Sequence, residues 1–288
     1  MRSPLTKSSM MAASLVFLMA FSYPVKSGLN VDQDKSASVE QCNMDNSVFQ
    51  NGEELTYKLY YNWNFVWLSA GEVTFRVKDL GDKYYISATG QTYKSYDWFF
   101  KVRDSYEVWV DKQTLLPTTS IRDVHEGGYS VYDKLTFDHK RKKVTSLRGK
   151  TKEVAQPVEY DVESCLHDIL SIVYFTRNVD FQDMRNGQDV PIKIFIDKKT
   201  WPLNMKYLGR EADKKIKGLG KFNTLKLNPE VISGNVFKDG AEMTVWASDD
   251  ENKIPLLIES PVSVGSVKVV LKSYKGLRHT LSSKKGDE

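Results

Sequence analysis

The feature that most constrains this chain is a period-two alternation of apolar and polar residues, repeated in short runs along most of its length. In the first run Leu55, Tyr57 and Leu59 alternate with polar neighbours, the pattern of a strand with one buried face. About seven candidate strands precede residue 164 and about seven follow residue 178, with turns rich in Gly and Asp between them. This spacing predicts an antiparallel meander rather than alternating strands and helices.

One stretch, from residue 164 to residue 178, has helical periodicity instead. Leu166, Ile169, Leu170 and Val173 recur at steps of three and four, so they form one apolar stripe that must pack against the sheet. Acidic residues precede the stretch and a basic residue ends it, as the helix dipole favours. We therefore predict a mainly β fold: a large curled antiparallel sheet, barrel or half-barrel, with one principal helix against its concave face or at one mouth.

The N-terminal segment has the organisation of a secretory signal peptide. Arg2 and Lys7 precede an apolar run, and a plausible cleavage site follows it. The run is shorter than the roughly 20 residues that cross a bilayer, which disfavours the alternative of a membrane anchor. We expect a periplasmic or outer-membrane-associated protein with no transmembrane segment in the mature chain. The expected organisation is a signal peptide over 1–27, a linker over 28–50, a single β-rich domain over 51–280 and a disordered tail over 281–288.

The charge balance limits the classes of binding partner that we expect, and the cysteine content bears on whether the chain forms a disulfide. The chain has 41 Lys and Arg against 37 Asp and Glu, and losing Arg2, Lys7 and Lys26 with the signal peptide leaves 38 basic residues. Such a balanced chain lacks the positive field that nucleic-acid binding needs, so no nucleic-acid partner is expected. Cys42 and Cys165 are an even pair in an exported chain, which favours a disulfide; the alternative is two inert thiols.

Four sets of residues, spread over nearly the whole mature chain, carry a resemblance to known proteins: Gly52 to Tyr57, Asn62-Trp63 with Ala70 to Glu72, Asp168 to Ser171 with Tyr174 and Arg177, and Val245 to Pro255. In order and spacing they resemble a family of exported bacterial proteins catalogued as domain of unknown function 3108 (DUF3108), in its Bacteroidetes-type form. The resemblance implies a secreted β-rich domain, with a relation to the half-barrels of the LolA and LolB lipoprotein carriers as a further expectation. It implies no activity, because the family has none assigned.

Motifs for catalysis and metal binding are incomplete. Gly149-Lys150-Thr151 ends like a phosphate loop, but Val144 stands where the loop requires glycine. His167 and Asp168 are adjacent, and adjacent helical residues point about 100° apart, so a structural role is favoured over acid–base chemistry. Asp249 to Glu251 reads as a hairpin turn, with a calcium site as the alternative. We expect no enzymatic activity, no metal and no cofactor.

Aromatic residues are denser than one strand face can bury. Because successive strand residues face opposite sides, three aromatics in a row cannot all point into the core. They could fill the core, line an apolar cavity that holds a lipid or other apolar small molecule, cap a barrel mouth, or form a surface for an envelope protein partner. The first function hypothesis is thus a carrier, and the second is a non-enzymatic interaction or scaffold protein. The candidate ligand-binding residues are Trp63, Phe65, Trp67, Tyr96, Trp98, Phe99 and Phe100.

Overall fold

The computed structural model describes residues 42–63, 66–98, 100–232, 237, 240–262 and 265–286, without the side chain of residue 63. The predicted signal peptide and most of the predicted linker lie outside the described residues. The described part contains one α-helix, α1 (Ser171–Arg177), and fifteen strands. The strands are β1 (Glu54–Trp63), β2 (Val66–Asp79), β3 (Lys83–Thr92), β4 (Arg103–Asp111), β5 (Pro117–Glu126), β6 (Tyr129–Asp138), β7 (Lys143–Gly149), β8 (Gln156–Asp161), β9 (Asp189–Ile196), β10 (Lys199–Ile216), β11 (Gly220–Pro229), β12 (Thr244–Ser248), β13 (Pro255–Pro261), β14 (Ser266–Lys275) and β15 (Lys284–Gly286).

The strands form a single antiparallel sheet made of two meanders. Strands β1 to β8 lie side by side in chain order, and so do β9 to β14; β14 pairs with β1 and joins the two halves. The path begins at β8 and ends at β9, so strand pairing does not close it into a barrel. The predicted mainly β fold with a large curled antiparallel sheet is confirmed.

The two edges of the sheet approach each other through side chains and one short segment. The ring of Tyr160 on β8 lies 5.4 Å from the ring of Phe195 on β9. The backbone of His167 pairs with β9: its N–H donates to the carbonyl of Lys193 at 2.9 Å, and its carbonyl accepts from Phe195 N at 2.8 Å. The sheet is therefore curled far enough for its free edges to pack together.

The predicted alternation produces the core. Leu55, Tyr57, Leu59 and Tyr61 of β1 are all buried, and the residues between them are partly exposed. Helix α1 packs on this inner face, because Tyr174 lies with Leu55 and Tyr57 around one small cavity. The prediction that the helix packs on the sheet is correct. So is the prediction that it ends near residue 178, because Asn178 is its C-cap.

The predicted start of the helix is wrong, because α1 begins at Ser171 rather than at residue 164. Cys165 adopts a left-handed φ of 58° and forms a disulfide, and His167 is paired with β9, so the chain cannot be helical there. Asp168 provides the cap: its carboxylate accepts from the backbone N–H groups of Ser171 at 2.9 Å and Leu170 at 3.2 Å. The stripe residues upstream are still buried, but in a turn.

Three further expectations have clear outcomes. The disulfide between Cys42 and Cys165 is confirmed, and it ties the N-terminal segment to the approach of α1. The tail expected to be disordered from residue 281 instead adds β15 beside β11, and the backbone carbonyl of Ser283 accepts from Asn223 N at 2.8 Å. The alternation did not indicate strand β8, and β10 is a single long strand of 18 residues.

Candidate functional site

Those residues of the proposed aromatic ligand site that the structure describes lie at the end of the sheet that carries the β1–β2 connection. Phe65 and Phe99 lie outside the described residues, and of Trp63 only the backbone is described. The backbone N–H of Tyr93 donates to the carbonyl of Ala70 at 3.2 Å, which places the segment after β3 beside the start of β2. The remaining candidates, Trp67, Tyr96, Trp98 and Phe100, therefore share one end of the molecule.

These four aromatics differ in environment. Trp98 is 85% exposed, which rules out the alternative that it fills the core. Trp67 is 41% exposed, and the ammonium of Lys268 lies 4.7 Å from the centre of its ring. Phe100 is half-buried and packs over Gly127, where a Cβ atom would come within 2.7 Å of its ring. Tyr96 is also half-buried, in the short 3-10 turn Lys94–Tyr96.

A separate apolar cavity lies inside the second half of the sheet, between α1 and strands β9 to β13. Its volume is about 120 Å³. The described members of the aromatic set are not among the residues that line it. Its walls are formed mainly by aliphatic side chains, including Ile172 and Val173 of α1, Ile194 of β9, Leu203 and Met205 of β10, Leu225 and Leu227 of β11, and Val245 and Ala247 of β12.

Three charged residues also line the cavity: Arg177, Glu230 and Lys253. Arg177 is buried and makes a bidentate ion pair with Glu53, with N–O distances of 2.6 and 2.9 Å. Its Nε also donates to the carbonyl of Asn252 at 3.1 Å, so its hydrogen-bonding groups are committed to the protein. Burial lowers the pKa of Lys253, because desolvation disfavours the ammonium form.

His167, Asp168 and Ser171 resemble the residues of a hydrolytic triad in type but not in arrangement. The Asp168 carboxylate bonds backbone N–H groups rather than the imidazole, and the Ser171 hydroxyl accepts from Asp168 N at 3.1 Å. Burial lowers the pKa of His167 to about 3, so the ring is neutral, and it lies 3.2 Å from the Ser171 hydroxyl. All three residues are at least 95% buried, and their hydrogen bonds hold the turn that leads into α1.

The acidic turn after β12 is engaged by the protein itself. Asp249 pairs with Arg210 at 3.0 Å, and Asp250 accepts from Asn252 N at 3.0 Å and from the Ser248 hydroxyl at 2.9 Å. The turn prediction for this segment is therefore correct. Within the described residues there is no group of three or more acidic, His or Cys side chains that could hold a metal ion.

A buried carboxyl pair lies on the first half of the sheet. Asp104 on β4 lies close to Glu126 on β5, and one of its carboxylate oxygens accepts from His125 N at 2.9 Å. Burial raises the pKa of Asp104 to about 7. Asp104 and His125 also border an open pocket of about 280 Å³, lined by polar side chains. The sequence analysis missed this pair, because its members are separated by 22 positions and meet only through strand register.

Comparison with known proteins supports the fold and the family. The structure is similar to a β-barrel-like protein of the family of unknown function DUF1849 from Brucella abortus, with a TM-score of 0.56, 9% identity, and coverage of 79% of this chain and 98% of that chain. That likeness indicates a shared fold alone. A candidate lipoprotein from Parabacteroides distasonis aligns with a TM-score of 0.31 and 11% identity over 81% of this chain and 99% of that chain.

A candidate exported protein with a YmcC-like fold from Bacteroides fragilis aligns with a TM-score of 0.30 and 11% identity over 81% of this chain and 100% of that chain. No curated protein matches the sequence. Among the described residues, no helix is both long and apolar enough to span a membrane.

The sequence profile described as protein of unknown function (DUF3108) matches residues 56–272, which is most of the chain. This protein therefore belongs to the DUF3108 family.

Proposed function

We propose that this protein is an exported, non-enzymatic binding protein that holds or carries an apolar molecule, such as a lipid, inside its curled sheet. The observation that carries the proposal is the cavity of about 120 Å³ between α1 and β9 to β13, whose walls are mainly aliphatic. Apolar ligands bind in such concave sites because contact with the walls removes apolar surface of both from water.

The proposed location is the periplasm or the outer membrane. The predicted signal peptide over residues 1–27 supports export, and so does the disulfide between Cys42 and Cys165, because such bonds persist in oxidising compartments. Fractionation of cells that produce the full chain, with intact-mass measurement of the protein from each fraction, tests the location. Protein found only in the cytoplasm with its first 27 residues retained would contradict it.

Native mass spectrometry of protein purified from its own envelope tests the binding proposal, and a retained lipid is the expected result. Ala247 lies on β12 at the cavity wall, so Ala247→Phe should place a ring in the cavity and reduce binding of a neutral fluorescent apolar probe at least tenfold. Ala212→Phe makes the same change at an exposed position of β10 and should bind as the wild type does. Equal binding by both variants would contradict the cavity site.

A second candidate function is docking of an envelope protein through exposed apolar side chains. Val66, Trp67 and Leu68 are consecutive, 57%, 41% and 37% exposed, and lie at the same end of the sheet as Trp98. Aromatic anchors of this kind dominate many protein interfaces. The original hypothesis that these aromatics border an apolar ligand site also stays a prediction.

Trp98→Ala separates these alternatives, since an exposed side chain can be truncated at little cost to stability. A ligand site at Trp98 predicts roughly tenfold weaker binding of an apolar probe. A docking site predicts loss of a co-purifying envelope protein with unchanged lipid retention. The cavity site predicts that neither changes.

A further inference from the structure

Lys253 differs from Arg177, the other cationic residue that lines the cavity, in having no ion-pair partner among the described residues. The guanidinium of Arg177 is bound by Glu53 and by a backbone carbonyl. The carboxylate of Glu230 accepts from the backbone N–H of Asn204 at 2.7 Å. The ammonium of Lys253 is therefore the positive charge on the cavity wall that remains available to a ligand.

The register of the strands places Lys253 and Glu230 at opposite ends of the cavity. Glu230 follows the last residue of β11, next to the start of β12, because Leu227 pairs with Val245. At the other end of β12 the N–H of Ser248 donates to the carbonyl of Ile254 at 2.8 Å, which brings the neighbouring Lys253 to that end. Strand β12 spans five residues, so the two charges are separated by a strand length of roughly 15 Å.

The turn that carries Lys253 is firmly held before any ligand binds. Asp250 bonds to the Ser248 hydroxyl and, through its second oxygen, accepts from Ser283 N at 3.2 Å. Asn252 is fully buried and donates to the carbonyls of His279 at 3.1 Å and Thr280 at 3.2 Å. A charge on such a turn is positioned in advance, which lowers the cost of ordering it when a ligand arrives.

The backbone of Lys253 also favours a role for its side chain. Its φ is 45°, in the left-handed region where glycine is more easily accommodated than a residue with a Cβ atom. A lysine here accepts that conformational cost and is half-buried beside an apolar cavity. Asp180, Asp250 and Glu251 favour its ammonium form electrostatically, whereas Arg177 and burial oppose it.

We propose that the cavity takes an anionic amphiphile, a long-chain carboxylate, with its headgroup at Lys253 and its chain along β12 toward Met243. This inference rests on the proposed function and specifies the ligand of the same cavity. A carboxylate beside Lys253 compensates the desolvated ammonium by a charge-assisted hydrogen bond. The reverse orientation places the carboxylate near Glu230 and away from Lys253, so it gains no such charge-assisted hydrogen bond.

The test compares dodecanoate with dodecanol, which have the same chain length and differ in headgroup charge. Each displaces a neutral fluorescent probe, N-phenyl-1-naphthylamine, from the full mature protein. Wild-type protein should bind dodecanoate about tenfold or more tightly than dodecanol, because the alcohol lacks the charged partner for Lys253. In Lys253→Met dodecanoate should bind only as tightly as dodecanol, while dodecanol affinity is unchanged.

Two further variants control for the chemical identity of the cation at position 253 and for the loss of a lysine elsewhere on the protein. Lys253→Arg keeps the positive charge and should retain the preference for dodecanoate. Lys221→Met removes an exposed lysine at the start of β11 and should behave as wild type. Unchanged dodecanol binding by Lys253→Met shows that the variant is folded with its cavity intact.

The outcomes distinguish a failure of the headgroup site from a failure of the proposed apolar-ligand function. Equal binding of the two ligands by wild-type protein, or equal loss of both in Lys253→Met, would overturn the headgroup site and leave the apolar cavity in place. A wild-type protein that binds neither the probe nor either ligand would overturn both.

Discussion

At the scale of single residues, the Glu53–Arg177 pair holds together the parts of the chain that surround the cavity. Glu53 precedes β1, Arg177 ends α1, and the carbonyl that accepts from Arg177 Nε belongs to the turn before β13. The side chains of the pair are 0% and 3% exposed. Desolvation makes both charges costly to bury, but the loss of one partner costs more, because it leaves the other charge buried and uncompensated.

Arg177→Met should therefore lower the free energy of unfolding by about 3 to 5 kcal/mol, and adding Glu53→Gln should restore part of the loss. Urea unfolding of the single and double variants measures both effects. Arg76→Met breaks an ion pair with Glu54 in which the arginine is 52% exposed, and it should cost no more than about 1 kcal/mol. Equal losses in Arg177→Met and Arg76→Met would contradict the assigned role of the buried pair.

The Asp104–Glu126 pair makes stability depend on pH in an unusual direction. The pKa of Asp104 is raised to about 7 mainly by burial, whereas an aspartate in an unfolded chain has a pKa near 3.9. Between these values the folded protein holds a proton that the unfolded chain has released. The contribution of the Asp104 carboxyl to the free energy of unfolding is therefore fully present below about pH 4 and is lost as the pH rises toward 7.

Asp104→Asn keeps a polar side chain of similar size beside Glu126 but does not titrate at this position. Its free energy of unfolding relative to wild type should rise between pH 4 and pH 8, by on the order of 2 to 4 kcal/mol. Urea unfolding at several pH values measures the difference. Parallel stability profiles for the two proteins over this range would show that the pair does not share a proton in the folded state.

At the scale of elements, the helix shows how periodicity can be correct about burial and wrong about conformation. Leu166 and Ile169 continue the apolar stripe of α1 upstream and are buried, but both lie before the first residue of the helix. The helix start is set instead by Asp168, which caps Ser171, and by long-range pairing of His167 with β9. Long-range contacts of this kind leave no local pattern in the sequence.

Strand β8 was missed for a different physical reason. It is the edge of the sheet, its residues are mostly exposed, and Val158 on it is 46% exposed. With little apolar surface buried on either face, it has no alternation to detect. The strands with one buried face, such as β1, were predicted from their alternation. The cavity could not be predicted, because α1 and the five strands that line it come together only when the sheet curls.

Ile169→Asp tests whether the approach to α1 is part of the core. The side chain is 6% exposed and lines the cavity, so an aspartate there is desolvated without a partner. We expect a loss of about 3 to 5 kcal/mol and a fall in melting temperature of roughly 10 °C. Val158→Asp makes the same kind of change at the exposed edge and should shift melting by only a degree or two. A similarly small shift for Ile169→Asp would place this segment outside the core.

At the scale of the whole molecule, the sheet is curled but its edges are joined by side chains instead of a strand ladder. Asp197, in the turn between β9 and β10, forms ion pairs with Arg122 of β5 at 2.6 Å and Arg148 of β7 at 2.7 Å. Asp133 of β6 also pairs with Arg148 at 2.7 Å. One end of the sheet path is thereby fastened to strands near the other end, and the interior is enclosed without closure of the barrel.

Asp197→Ala should loosen this junction more than it loosens the rest of the sheet. Two arginines would be left near a single carboxylate, and Arg122 is only 7% exposed, so we expect a cost of about 3 to 5 kcal/mol. Hydrogen exchange of individual backbone amides shows which part of the sheet loses stability. The amides of His167 and Phe195, which bond across the junction, should exchange faster relative to amides in the β1–β2 pair.

The matched control for Asp197→Ala is Asp161→Ala, which removes a carboxylate paired with Lys143 at the edge strand β8. That side chain is 89% exposed, so the variant should change stability by less than about 1 kcal/mol. If Asp197→Ala behaved like this control, or accelerated exchange uniformly over the sheet, the ion pairs would not be what holds the two edges together. The packing of Tyr160 on Phe195 and the backbone pairing of His167 would then have to keep the curled sheet enclosed on their own.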